Sequence, residues 1–126
     1  SHSNFGSAQT ESAKKVREAT ALFMDRYPDI EADGEMHADA ALNEKIRVDL
    51  LPETRLSGSA NLLVCPNLDS ANIARNLLKM LGGGVTVGPL LLGLAKEAHV
   101  AAASNTPRGI FNMAAVALAN VNRQEQ

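Results

Sequence analysis

Between positions 31 and 39 ionisable side chains alternate with other residues: Glu31, Asp33, Glu35, His37 and Asp39. Clustered carboxylates are what a divalent metal with oxygen ligands requires. Here, however, Asp33-Gly34 is a turn signal, and single charges interrupted by small or apolar residues read as a solvated edge. Gly82-Gly83-Gly84 has the glycine content of a phosphate cradle. Its order is reversed, because a phosphate loop leads from a strand into a helix N-terminus. This run follows a helical pattern and precedes an apolar one, so it reads as a helix C-cap and tight turn. His99 opens an apolar stretch and reads as a partly buried spacer. Cys65 lies between Val64 and Pro66 in an apolar run, where a thiol is inert. No metal site is expected.

The elements that must position these residues centre on 60–93. Leu62 to Val64 form a continuous apolar run, the pattern of a strand covered on both faces. Pro66 stops it, and Asp69 or Ser70 is placed to cap the helix that follows. Ile73, Leu77, Leu78 and Leu81 recur at helical spacing. After the glycines, Val85, Val87 and Leu90 to Leu92 restart an apolar strand. Strand, helix and strand in this order predict a βαβ unit with parallel pairing and a right-handed crossover.

Around that unit, residues 8–27 predict a helix that Tyr27-Pro28 ends, since proline disfavours helical geometry in the residue before it. Ile30 to Ala32 is a short strand candidate. Residues 36–51 predict a helix broken near Lys45, and 51–58 a surface loop. His99 to Ala102 is a final strand. Thr106 caps the last helix, with Pro107 at its first position. Ile110, Met113, Ala114, Val116, Ala117 and Val121 make that helix apolar on more than one side, so several of its faces need cover. The expected fold class is α/β, a three-layer-like parallel or mixed sheet flanked by helices. Residues 1–7 read as a tag or vector remnant and are set aside from the fold, leaving 8–126 as the domain.

Composition limits the function classes. The chain has 126 residues, enough for one domain, with 45% apolar residues and no Trp, so the core must be aliphatic. A formal net charge of -2 leaves no electrostatic footprint for nucleic acid or an anionic membrane. One cysteine allows no internal disulfide and fits a reducing compartment. No apolar run reaches the roughly 18 residues of a membrane span, and no signal peptide is visible. A cytoplasmic location is expected.

The segment ANLLVCPNLDSANIARNLLKMLGGGVTVGPLLLGLAK, with Asp-Gly-Glu-Met-His-Ala-Asp-Ala-Ala at 33–41, resembles the C-terminal part of the phosphate acetyltransferase (phosphotransacetylase) family. The resemblance runs from about Asp29 to Ala119, with three motifs in order. The DGEM, GGGVTVGP and Ile110-Phe111-Asn112-Met113 forms are most similar to the phosphotransacetylase-like domain at the C-terminus of bacterial NADP-dependent malic enzymes. A whole module of that family is more than twice as long, so the resemblance implies a C-terminal fragment of one.

The resemblance implies an active site with a Ser-Arg-Gly run before the last helix and an Asp near that helix's start. Anchored on Ile110-Phe111-Asn112, those positions fall on Ala102, Ala103 and Gly109; a slip by one or two residues brings in Ser104 or Asn105. Arg108 is the nearby cation. Acetyl transfer between a CoA thiolate and phosphate needs a cationic phosphate site and a base, and alanine supplies neither. The implied function is therefore a catalytically inactive regulatory and oligomerisation domain that senses acetyl-CoA. Its parent would be a malic enzyme decarboxylating malate to pyruvate, with NADP and divalent metal held only in another domain.

Candidate ligand contacts are Asn112, Gly88, Pro89, Asn105 and Asn72, the glycine allowing close backbone approach and the asparagines offering amides to a pantetheine chain. Against this stand a strand end at Gly88-Pro89 and a solvated first turn at Asn72. Expected partners are a second copy of the chain, as a dimer or higher homo-oligomer, together with the N-terminal half of the module and the malic enzyme domain. Two alternatives are carried: part of an active phosphate acetyltransferase, and a purely structural assembly domain.

Overall fold

The computed structural model describes residues 1–103 and 105–124. Five α-helices occur among them: α1 (Glu11–Arg26), α2 (Ala38–Leu42), α3 (Glu44–Leu50), α4 (Leu68–Leu81) and α5 (Pro107–Gln124). The chain divides into two compact units, Ser1–Asn76 and Leu77–Gln126, with the boundary inside α4.

No β-strand occurs among the described residues, and this overturns the α/β expectation together with its βαβ crossover. Residues 30–32, 62–64, 85–87, 90–92 and 99–102, all expected to be strands, lie in irregular segments. A strand exists only where its N–H and C=O groups find a neighbouring strand. An apolar run signals burial, but supplies no such neighbour. The side chains follow suit: Leu62 and Val64 are 76% and 77% exposed instead of covered on both faces.

The helix ends obey local rules. Thr10 caps α1, its side chain accepting from the Ala13 N–H, and α1 stops at Arg26, before Tyr27-Pro28. The break near Lys45 falls at Asn43, whose extended backbone separates α2 from α3 and whose Oδ1 caps α3 by accepting from the Ile46 N–H at 3.2 Å. Asn67 takes the capping role expected of Asp69 or Ser70: its Oδ1 accepts from the Ser70 N–H at 2.9 Å. At the other end of α4, Gly83 has φ +63°, a conformation glycine enters at little cost. Thr106 accepts from the Gly109 N–H at 3.1 Å, with Pro107 as the first residue of α5.

In the first unit Met36, Ala40, Ala41 and Leu51 form the buried apolar cluster, with Ile46, Leu56 and Ala60 packed against it. α2 and α3 pack on each other there. Three polar side chains are also fully buried, Ser3, Glu35 and Arg47. In the second unit Met113 is the one buried residue among those described. No described helix is long and apolar enough to cross a membrane.

Candidate ligand-binding site

The DGE motif is built inward. Glu35, expected on a solvated edge, is 1% exposed. Burial alone pushes its carboxyl pKa up. The bonds it accepts outweigh that and hold it at about 2. Arg17 donates through Nε to Oε2 and through Nη2 to Oε1, both at 2.9 Å. Ser3 Oγ donates to Oε1 at 2.6 Å and the Gly6 N–H at 2.9 Å. The Arg17 pKa is raised in turn, chiefly by its hydrogen bond to Glu35.

Residues 1–7, set aside above, are tied to this motif by backbone as well. The Phe5 N–H donates to the Glu35 carbonyl at 2.9 Å, the Ser1 amino group to the Met36 carbonyl at 3.1 Å, and the His37 N–H to Asn4 Oδ1 at 2.6 Å. Within this segment Phe5 has φ +42°. A bulky residue in the left-handed region costs on the order of 1–3 kcal/mol and persists only where its surroundings dictate it.

Asp33 turns toward the other side of the motif. Its Oδ2 accepts from Thr54 Oγ1 at 2.8 Å and from the Arg55 N–H at 2.7 Å, and its Oδ1 from the Gly34 N–H at 2.9 Å. Glu31 likewise accepts from the Ser57 N–H and hydroxyl. These carboxylates therefore staple loops, and no described group of three or more His, Cys, Asp or Glu side chains stands ready to hold a metal ion.

Arg47 is the second buried hub. Nη1 donates to the Ala40 and Ala41 carbonyls at 3.2 and 3.3 Å, and Nη2 to those of Leu56 and Gly58 at 3.3 and 2.6 Å. Its Nε has no hydrogen-bond partner. The guanidinium thus locks the loop at 56–58 onto the end of α2 without a carboxylate. Two concavities lie in this unit. One of about 310 Å³ is lined by Ile30, Glu31 and the loop from Leu56 to Asn61. The other, about 260 Å³, is lined by Phe5, Arg17, Ala21, Met24, Asp33 and Gly34 among others.

Neither concavity includes any of the five candidate residues singled out from the sequence. Asn72, in the first unit, is exposed, and its Oδ1 accepts from Asn76 Nδ2 at 2.6 Å. The other four lie in the second unit. Gly88 has φ +120°, and a Cβ there would stand 3.2 Å from the Leu90 nitrogen. Pro89 is exposed and Asn112 half-buried on α5. Asn105 is engaged at both ends, Oδ1 accepting from the Ala102 N–H at 2.8 Å and Nδ2 lying 3.5 Å from Met113 Sδ. Ser104, the other residue a slipped register would bring in, lies outside the described residues.

His99 is half-buried, as its sequence context suggested. Its Nδ1 accepts from the Leu91 N–H at 3.2 Å, and Nε2, 3.7 Å from Glu97 Oε2, is buried without a hydrogen bond. Sequence reasoning missed Ser3, Arg17 and Arg47 altogether. The recurrence of Ser, Asn and Gly in residues 1–7 was a usable signal, since such residues bond nearby backbone or carboxylates. Nothing local marks Arg47, whose acceptors are all carbonyls.

Comparison with known proteins places these observations. A family model described as phosphate acetyl/butaryl transferase matches residues 1–118. The chain is similar to the NAD-dependent malic enzyme of Rhizobium meliloti, 51% identical over 94% of this chain, and to the NADP-dependent malic enzyme of Escherichia coli, 51% identical over all of it. It spans only 15% and 16% of their lengths. A crystal structure of a phosphotransacetylase from Streptococcus pyogenes matches at TM-score 0.89 and 32% identity, over 98% of this chain and 37% of that one.

Proposed function

This chain belongs to the phosphate acetyl/butaryl transferase family, and on that premise we propose that it is a non-catalytic member, an acetyl-CoA-sensing and assembly module carried by a malic enzyme. The observation that carries the reading is the 51% identity to malic enzymes along essentially the whole chain. The parent would then decarboxylate malate to pyruvate with a nicotinamide cofactor and a divalent metal, both held outside this chain.

Side-chain chemistry supports the absence of catalysis. In the register that the resemblance implies, Ala102, Ala103 and Gly109 stand where acetyl transfer calls for a hydroxyl, a guanidinium and a carboxylate. Single donors of that kind are worth about a hundredfold or more in rate. Asn105, the described residue that a shifted register would substitute, spends its amide tying residue 102 to α5. For the effector, Gly88, Pro89, Asn105 and Asn112 in the second unit are the proposed contacts; Asn72 stands as a separate candidate in the first.

Assembly as a homo-oligomer is supported by apolar faces that this chain leaves open. On α5, Phe111 and Leu118 are 72% and 63% exposed. A thiol-release assay tests the catalytic half of the reading. With acetyl-CoA and phosphate, no free CoA above background is expected, and steady release would restore the transferase alternative. Sensing would count as allostery if acetyl-CoA shifts malate affinity in the parent, with malate shifting acetyl-CoA affinity by the same factor.

A further inference from the structure

Between α4 and α5 the chain is held by very little. Among the described residues, 83–101 make one hydrogen bond, from the Leu91 N–H to His99 Nδ1 at 3.2 Å. Leu91 lies between Gly88 and Gly93, both at positive φ, +120° and +82°. The ring that accepts the bond is well covered: the His99 side chain is 7% exposed, although the residue as a whole is half-buried.

A neutral imidazole carries one N–H. Because Nδ1 accepts, that proton sits on Nε2. There it is buried with no hydrogen-bond acceptor in reach, Glu97 Oε2 standing 3.7 Å away. We propose that this arrangement is an acid-released latch, in which the neutral His99 ring ties residue 91 to residue 99 and proton uptake at Nδ1 unties them. The incoming proton bonds to the Nδ1 lone pair, the same pair that accepts from Leu91. Two N–H groups then face each other, and the hydrogen bond is lost. At the opposite edge of the ring the imidazolium meets a carboxylate 3.7 Å from Nε2, so an ion pair offsets the loss. Glu97 is the one carboxylate within 4.0 Å of the ring among the described residues. Lys96 and Arg108, the other ionisable side chains of 83–122, are exposed. Histidine is the side chain suited to such an exchange near neutral pH. The latch stands independently of the acetyl-CoA reading.

The test is an NMR titration of the full chain from pH 8 to pH 5, following the Leu91 amide and the His99 ring together. As the ring gains its proton, the Leu91 amide proton is expected to move upfield on the same curve. Its protection against hydrogen exchange, corrected for the intrinsic pH dependence of exchange, should fall about fivefold. His99→Asn places a carbonyl oxygen close to where Nδ1 stands, an acceptor that no proton removes in this range. In that variant the Leu91 signal is expected to stay flat. Three results would overturn the latch: a ring that titrates while Leu91 stays in place, a ring that remains neutral to pH 5, or a Leu91 shift in folded His99→Asn that matches wild type. The wild-type titration decides even if that variant does not fold.

Discussion

The two units of this chain keep their order by different means. In Ser1–Asn76, buried polar hubs do much of the organising. Glu35 gathers Ser3, Gly6 and Arg17, and Arg47 gathers four backbone carbonyls, beside a small apolar cluster. In Leu77–Gln126 the apolar content is high, yet Met113 alone is buried among the described residues. Hydrophobic composition by itself therefore does not make a core. A directional hub brings distant segments together one bond at a time, whereas an apolar helix face waits for a surface of matching size.

Breaking a hub should cost most. Arg47→Ala removes the guanidinium from the carbonyls of Ala40, Ala41, Leu56 and Gly58, of which Ala41 keeps the Ala60 N–H as a donor. Urea unfolding followed by backbone amides of the first unit is expected to lose about 3 kcal/mol or more. A loss below about 1 kcal/mol would mean that the apolar cluster, not the hub, carries this unit.

Glu35→Gln comes next, at roughly 1–3 kcal/mol, since the amide cannot replace both charge-assisted bonds from Arg17. The same carboxyl sets an acid dependence. Its folded pKa, about 2, lies below the ordinary value of 4.5, so the unfolded chain binds the proton more readily. Its contribution is fully present above about 4.5 and is lost as pH falls toward 2. Acid unfolding of wild type should show a slope in that window that Glu35→Gln lacks; identical slopes would remove Glu35 as the source.

The second unit should respond more mildly. Thr106→Ala removes the cap of α5 and is expected to cost about 1 kcal/mol, read from helix content against temperature. Leu118→Ser, at an exposed apolar position, should change the stability of the monomer by less than about 0.5 kcal/mol. If copies of the chain cover that face, the same variant lowers the mass seen by sedimentation. An unchanged mass from an oligomeric wild type would place the interface elsewhere.

The contrast also explains which features were legible from sequence. Helix ends were, because Pro28, Gly83, Thr106 and Pro107 act through their own backbone or hydrogen bonds a few residues away. The break in 36–51 was expected near Lys45 and falls two residues earlier, at Asn43, which caps α3 through a local hydrogen bond. The strands were not. Leu62 to Val64 has the composition of a buried strand, but pairing depends on another segment, and none pairs with it among the described residues. The hubs escaped for a related reason: Glu35 finds Ser3 and Arg17 at separations of 32 and 18 residues. The motif Asp33-Gly34-Glu35 was visible as a pattern, while its inward turn was not.

A calorimetric titration of this chain with acetyl-CoA tests the central claim most directly. Saturable one-site binding, with no thiol released when phosphate is added, is the predicted result. A flat trace under conditions where the chain is folded would contradict acetyl-CoA sensing by these residues and leave assembly as their role.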